Sequence, residues 1–337
     1  MNILLTGGAG YIGSHTAVAL FEAGYQVILL DNFCNSNKAV IGQLEKILGK
    51  EITCIEGDVR DTALVVKILQ KYGINAVIHF AGLKAVSESV KDPVEYYANN
   101  VQGAISLLAA MKACQIKTLI FSSSATVYGD PQYLPIDELH PLSATNPYGR
   151  TKIHIEEMLT DLSRSDKDWR IICLRYFNPV GAHQSGLIGE SPVNIPNNLM
   201  PYIAQVADGV LPYLNVFGDD YHTLDGTGVR DYIHVMDLAE GHLAALHYSL
   251  AHVGIEVFNL GTGKGASVYE VLNKYQAVLN KKIEYLVQER RSGDIASCYA
   301  KVDKAKEYLD WVCTRDLTEM CQSSWVWQSN KKSNGIV

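Results

Sequence analysis

Thr6-Gly7-Gly8-Ala9-Gly10-Tyr11-Ile12-Gly13 follows an apolar stretch, Ile3-Leu4-Leu5, and runs into a helical pattern from Ser14 to Ala23 that stops at Gly24. Strand, glycine-rich turn and helix in that order suit a dinucleotide. Glycines let the backbone turn tightly and approach a pyrophosphate, and the helix N-terminus offers N–H groups to the phosphates. A second apolar stretch, residues 26–30, delivers Asp31 18 residues after Gly13. An acid there bonds the ribose hydroxyls of NAD and repels the extra phosphate of NADP.

The same rhythm continues outward. Residues 52–56 read as a strand ending in Gly57-Asp58-Val59, with a helix over 61–72. Residues 76–80 form the next strand, ending in Ala81-Gly82-Leu83-Lys84; a long helix spans 93–113, and strand 117–121 presents Ser122-Ser123-Ser124. Helix 146–163 and strand 169–175 close the series. Alternating strands and helices predict an α/β fold, a Rossmann-type doubly wound parallel sheet, whose ligands bind at the carboxyl ends of the strands. Asp31, Asp58, residues 80–84 and Ser122 to Ser124 all lie at such ends. Asp58 either faces the adenine or caps a helix; Lys84 is a cofactor contact or a solvated charge; Asn99 faces the cofactor or a neighbouring helix.

Tyr148-Gly149-Arg150-Thr151-Lys152 puts a phenol and an ammonium one helical turn apart on one face. Free tyrosine titrates near pH ~10, so a phenolate base near neutrality requires about 4 kcal/mol of help. A neighbouring cation supplies part of it, an oxidised nicotinamide more, while the Ser124 hydroxyl bonds a substrate oxygen. The Tyr-x-x-x-Lys spacing is weak alone; the shared crevice gives it weight.

After Tyr176-Phe177-Asn178-Pro179-Val180-Gly181-Ala182 the pattern becomes mixed and rich in Gly, Asn and Pro. We expect a dinucleotide domain over 1–178 and a smaller C-terminal α+β domain over 179–337 that closes the crevice. Gly261-Thr262-Gly263-Lys264-Gly265 imitates a nucleotide loop, but no strand delivers an acid at the proper distance, so it reads as a structural turn. Arg230 and Arg290-Arg291 offer forks for a diphosphate or form surface ion pairs.

With 337 residues, 47% hydrophobic, and a net charge of −7, the chain does not suit a nucleic-acid or anionic-membrane binder. No apolar run is long enough to span a bilayer, and the first residues lack the basic region of a signal peptide. Seven scattered cysteines without a Cys-x-x-Cys read as reduced thiols in a cytoplasm, and the ten histidines show no metal spacing. No metal site is expected.

The glycine-rich run, His79-Phe80-Ala81-Gly82-Leu83-Lys84-Ala85-Val86, Ser122-Ser123-Ser124-Ala125-Thr126-Val127-Tyr128-Gly129 and Tyr148-x-x-x-Lys152 together resemble the extended short-chain dehydrogenases/reductases. Within them, Arg175-Tyr176-Phe177-Asn178-Pro179-Val180-Gly181-Ala182-His183, Ile195-Pro196-Asn197-Asn198-Leu199-Met200-Pro201-Tyr202 and Gly226-Thr227-Gly228-Val229-Arg230-Asp231-Tyr232-Ile233-His234-Val235 resemble the UDP-galactose 4-epimerase family. The resemblance runs from residue 2 to about 328. It implies a catalytic set of Ser124, Tyr148 and Lys152 acting with retained NAD through a transient 4-keto sugar. It implies NAD contacts from Gly7, Gly10, Tyr11, Ile12, Gly13, Asp31, Asn32, Asn35, Ser36, Asp58, Val59, Phe80, Ala81, Gly82, Lys84, Asn99, Tyr148, Lys152 and Phe177. Ser124, Tyr148, Asn178, Asn198, Leu199, Asn215, Val216, Phe217, Arg230, Arg291, Asp294 and Cys298 would hold the UDP-sugar. It also implies a homodimer paired through the helices near 93–113 and 146–163.

In this family a bulky Tyr near the sugar C2 substituent goes with hexose-only enzymes and a small residue with N-acetylhexosamines. The matching residue is Cys298, with Tyr299 adjacent, which predicts activity on both UDP-Glc/UDP-Gal and UDP-GlcNAc/UDP-GalNAc; otherwise Cys298 is simply a buried cysteine. Three rivals stand beside this reading. A nucleotide-sugar 4,6-dehydratase wants an acid just after the catalytic Ser, where Ala125-Thr126 stand. A non-catalytic NAD sensor has no need of the Ser, Tyr and Lys together. An ordinary dehydrogenase would consume free NAD.

Overall fold

The computed structural model describes residues 1–191, 196, 198–291 and 293–331. Its first half alternates β1 (Asn2–Thr6), α1 (Tyr11–Glu22), β2 (Gln26–Asp31), α2 (Ala39–Leu48), β3 (Thr53–Glu56), α3 (Thr62–Lys71) and β4 (Ala76–His79). Helices α4 (Val86–Lys91), α5 (Pro93–Tyr96) and α6 (Gln102–Ala113) lead to β5 (Thr118–Ser122), α7 (Pro147–Ser165) and β6 (Arg170–Tyr176). The second half contains β7 (Asn178–Val180), α8 (Leu199–Ala207), β8 (Leu214–Phe217), β9 (Val229–His234), α9 (Val235–Ala251) and β10 (Gly254–Leu260). It ends with β11 (Gly265–Ser267), α10 (Val268–Leu279), β12 (Tyr285–Gln288), β13 (Ser297–Cys298), α11 (Asp303–Leu309) and α12 (Leu317–Lys331).

Seven strands form one parallel sheet in the order β10-β6-β5-β4-β1-β2-β3. Its near-continuous Val, Ile and Leu strands are those of a sheet covered on both faces. Alternate residues supply the two cores. Ile3, Leu5, Ile78, Ile120 and Ile172 pack with Leu20, Leu44 and Leu246, and Leu4, Val77, Leu119 and Ile171 pack with Leu69, Leu107 and Leu159. Strand order reverses between β1 and β4, which places the crevice beyond Thr6 and His79. Among the described residues no helix is long and apolar enough to cross a membrane.

The elements depart from the expected ones in three places. The helix expected over 93–113 is broken: after α5 the chain forms a π-turn, Tyr97–Val101, before α6. The turn carries Asn100, whose side chain accepts from Leu83 N (2.8 Å) and donates to Leu83 O (3.0 Å) and Thr151 Oγ1 (3.1 Å), so the bulge lets one amide serve the β4 loop and α7 together. Helices α2 and α4 are additional to the expected elements: α2 has an amphipathic pattern, with Val40, Ile41, Leu44, Ile47 and Leu48 at helical spacing, and α4 is only six residues long. Nor does position 178 sort the strands: β10, far beyond it, pairs with β6 from Gly254↔Arg170 to Leu260↔Tyr176 and completes the large sheet. The remaining second-half strands form smaller sheets, β11-β9-β13 with β7 on β9, and β12 beside β8.

Candidate active site

The glycine-rich turn is closed by contact. Gly7 has φ +68°, and a Cβ at Gly13 would lie 2.4 Å from Gly7 O, so neither position has room for a side chain. Helix α1 has no side-chain cap on its first N–H groups and no acid in its first turn, whereas Asp61, Asn146, His234 and Ser267 cap α3, α7, α9 and α10. Those free donors and the positive end of the helix suit a pyrophosphate. Asp31 ends β2 with its carboxylate accepting from Ala9 N and Phe33 N (both 2.9 Å) and from Ser36 Oγ (2.9 Å). It therefore shapes the rim where Asn32 and Asn35 are exposed. The donor set fits a dinucleotide carrying free ribose hydroxyls.

Asp58 faces Asn32 Nδ2 (3.2 Å), but Arg60 holds it in a fork (Nε 3.0 Å, Nη2 2.8 Å) and keeps its carboxyl at about 2. Val59 beside it is core. Phe80, Ala81 and Gly82 line the β4 end: the Phe80 ring packs at a tilt against His242 (4.8 Å between centres), and Gly82 abuts the Asn100 side-chain oxygen. Tyr11 donates to Gly181 O at 2.7 Å, tying the turn to the second half. Lys84 ion-pairs with Glu190 at 3.1 Å. Asn99 sits half-buried on the π-turn, next to the Asn100 that does the tying. Ile12 is half-buried in the first turn of α1.

The serine run, the phenol and the ammonium do meet. Helix α7 starts at Asn146, whose side chain accepts from Gly149 N, with Pro147 at its first position. Tyr148, Lys152 and Ser124 are all buried. Lys152 Nζ donates to Ser122 O at 2.7 Å and lies 5.9 Å from the Tyr148 ring centre. Ser124 Oγ accepts from Thr126 N (3.2 Å) and Thr126 Oγ1 (3.0 Å) and hydrogen-bonds the Tyr148 hydroxyl. Burial pushes the Tyr148 phenol up, and that hydrogen bond works against it. Burial pulls Lys152 down to about 8, opposed by Glu156. The expected lowering of the phenol is thus not achieved by the protein's own residues, because desolvation outweighs them.

Opposite this set stand the second-half residues. Asn178 pairs with Tyr232 in β7–β9, and Phe177 N donates to Leu260 O. Asn198 donates to Glu190 Oε1 (2.6 Å) just before Leu199 opens α8. Asn215, Val216 and Phe217 form β8, with Asn215 donating to the Tyr202 hydroxyl (2.9 Å). Arg291 pairs with Asp294 (2.9 Å) and lies over the Phe217 ring (4.7 Å), and Arg290 pairs with Asp220. Arg230 forms no ion pair among the described residues; its Nη1 donates to Val229 O (2.9 Å), and it is the freest of the three forks. Cys298 is buried with Ala125, Val127, Tyr128 and Phe177, on the side of the loop that follows Ser124, whereas the Tyr299 ring lies against Gly265. Ile195 and Asn197, quoted in the expected motif, lie outside the described residues. The decoy loop is filled by protein: Asp231 accepts from Thr262 N (2.8 Å), Gly263 N (3.0 Å) and Ala300 N (3.1 Å).

A family model described as GDP-mannose 4,6 dehydratase matches residues 4–324. A UDP-glucose 4-epimerase of Bacillus subtilis is 54% identical over 98% of this chain and 97% of its own. The crystal structure of UDP-glucose 4-epimerase from Bifidobacterium longum in complex with NAD+ and UDP superposes with a TM-score of 0.95, at 50% identity over 99% of this chain and 100% of the other. The UDP-Glc/GlcNAc 4-epimerase of Campylobacter jejuni gives 0.85 at 35%, over 98% and 99%. The chain belongs to the UDP-glucose 4-epimerase family. The dehydratase in the family model's description differs chemically at one spot: elimination wants an acid after the serine. Here Ala125 and Thr126 follow, and the Thr126 hydroxyl is engaged with Ser124.

Three residues that hold this epimerase-family site together escaped the sequence reading: Asn100, Glu190 and Glu156. Asn100 and Glu190 have no motif around them, and Glu156 lies just past the Tyr-x-x-x-Lys pair on α7. The only sequence signal is a polar or charged residue in an otherwise apolar helix face, as with Glu156 one turn after Lys152.

Proposed function

We propose that the chain interconverts UDP-Glc with UDP-Gal, and UDP-GlcNAc with UDP-GalNAc, by a proton and hydride exchange at the sugar C4. The observation that carries this is the convergence of Ser124, Tyr148 and Lys152 beside an uncapped helix N-terminus at the switch point of the sheet. NAD held at the glycine-rich turn would supply the chemistry these residues lack, reversible hydride exchange at C4 and a positive charge that favours a phenolate. Tyr148 removes the proton from the 4-OH and gives it back, and Ser124 bonds the same oxygen. Lys152 keeps a positive charge near both.

Residues 1–178 carry most of the dinucleotide contacts and residues 179–337 most of those to the UDP-sugar. Arg230 and Arg291 grip the diphosphate, and Asn178, Asn198, Leu199 and residues 215–217 hold the nucleotide, leaving the 4-keto sugar free to present its other face. Both Lys84 and Asn198 bond to Glu190 Oε1, which supports placing cofactor and nucleotide contacts side by side. Exposed Val94 and Ile105 on α5 and α6 support a homodimer paired through the helices near 93–113 and 146–163. Seven free cysteines support a cytoplasmic setting.

Acceptance of the N-acetyl sugars rests on Cys298, a small side chain facing the Ser124 loop. The purified protein, with no NAD added, is incubated with UDP-Glc and with UDP-GlcNAc while C4 configuration is followed by NMR. Both should epimerise. Cys298→Tyr should lose the N-acetyl reaction by about 100-fold, the scale at which a crowded pocket misplaces a substrate by 1 Å, and keep the hexose reaction. Equal loss or equal retention of both would sink the gate.

A further inference from the structure

Behind the Ser–Tyr–Lys set lies a buried ion pair with no part in the exchange just described. Glu156 stands one turn beyond Lys152 on α7, Arg175 stands on β6, and their side chains are 7% and 6% exposed. Arg175 Nη2 donates to Glu156 Oε2 at 2.5 Å and Nε to Oε1 at 3.0 Å. Glu156 Oε1 also accepts from Ser123 Oγ at 2.5 Å, and Ser123 immediately precedes Ser124. On its other side Arg175 Nη1 donates to the Tyr128 hydroxyl (3.1 Å), which donates to Asn259 Oδ1 (2.6 Å). A pair this deep is a poor device for stability, because desolvation offsets most of the attraction and an apolar pair of equal volume does as well.

We propose that Glu156 is a positioning residue for turnover: through Ser123 it fixes the catalytic Ser124, and from one turn away its carboxylate keeps the Lys152 ammonium charged inside the core. This rests on the reading of Ser124, Tyr148 and Lys152 given above. Besides Tyr148 and Glu156 on its own helix, Lys152 has Phe121 and the Ser122 carbonyl on β5 and His79 on β4 around it. Arg175, Tyr176 and Cys173 on β6, Tyr128 and Glu138 on the loop after β5, and Tyr96 on α5 complete the titratable and charged surroundings. Of these only Lys152, Glu156, Arg175 and Glu138 carry charge near neutrality, since burial drives the His79 imidazole down and the Tyr and Cys groups up. Lys152 rests at about 8, drawn down by burial and held up against it by Glu156. Removing that negative charge also unmasks Arg175, so Lys152 and Tyr148 should both titrate lower.

Glu156→Gln should therefore move both limbs of the kcat/KM pH profile to lower pH by about one pH unit, the scale of a unit charge several ångströms away at an effective dielectric of about 20. The phenolate difference spectrum of the cofactor-free protein, read against Tyr148→Phe, should move the same way. Arg175→Met should move both limbs upward and serves as the test if Glu156→Gln does not fold. The pair Glu156→Gln with Arg175→Met, which leaves local charge unchanged, should restore the limbs; Ser123→Ala should lower kcat severalfold with the limbs in place. A rate loss in Glu156→Gln or Arg175→Met with limbs and spectrum unmoved makes the pair merely structural and overturns the proposal. A native protein that shows the spectral shifts yet epimerises no UDP-sugar overturns the catalytic reading instead and leaves the charge effect standing.

Discussion

Two glycine-rich loops follow strands of the same sheet, and they are built for opposite ends. Residues 7–13 after β1 leave the first N–H groups of α1 uncapped, whereas residues 261–265 after β10 direct theirs onto the Asp231 carboxylate. The sequences look alike because both need tight turns. What separates them is where the protein's own carboxylate binds: Asp31 takes Ala9 N in the first loop and leaves the α1 N-terminus uncapped, whereas Asp231, arriving from β9, takes both Thr262 N and Gly263 N of the second. A glycine pattern therefore reports backbone geometry, and only an audit of its N–H groups reports whether a foreign phosphate is awaited.

The sharpest way to break this contrast is to place one methyl in each loop. Gly13→Ala would put a Cβ 2.4 Å from Gly7 O; the protein should purify without NAD, and turnover should fall by about 100-fold, as a 1 Å displacement at a site does. Bound nucleotide measured after denaturation checks it, and a full NAD complement would refute the assignment. Asp231→Asn comes next: its amide must aim N–H at N–H, leaving at least one buried donor unpaired at about 1–3 kcal/mol, so the melting temperature should drop by several degrees. KM for the UDP-sugar should rise, because Arg230 precedes Asp231 and Cys298 pairs with Arg230 in the β13–β9 register, while NAD content stays full. The smallest effect belongs to Gly263→Ala. With φ +74° and the nearest atom 3.3 Å away, it should cost about 1 kcal/mol in a denaturant melt and leave cofactor content untouched.

The first six strands were legible as short apolar runs, a pattern that parallel burial imposes on its own, and five of these runs are followed within two residues by Gly, Asp or Ser; only β6 runs on into Tyr176-Phe177. Ser124, Tyr148 and Lys152 were legible for the same reason, as strand-end and helix-spacing features. The π-turn was not, since Asn99 and Asn100 sit within a helix-like sequence and the bulge is fixed by a contact with Leu83 and Thr151 some 17 and 51 residues distant. The electrostatics of Tyr148 also lay beyond the sequence: spacing placed a cation one turn away, but only the packed core reveals that desolvation prevails and that Lys152 is turned toward Ser122 O.

The large sheet takes its last strand from the far half of the chain. During synthesis β6 therefore emerges with an open hydrogen-bonding edge that stays bare until the ribosome has passed Leu260. A truncation at residue 178 would keep that edge permanently, so the first half should be obtained as a self-associating fragment and not as a separable cassette.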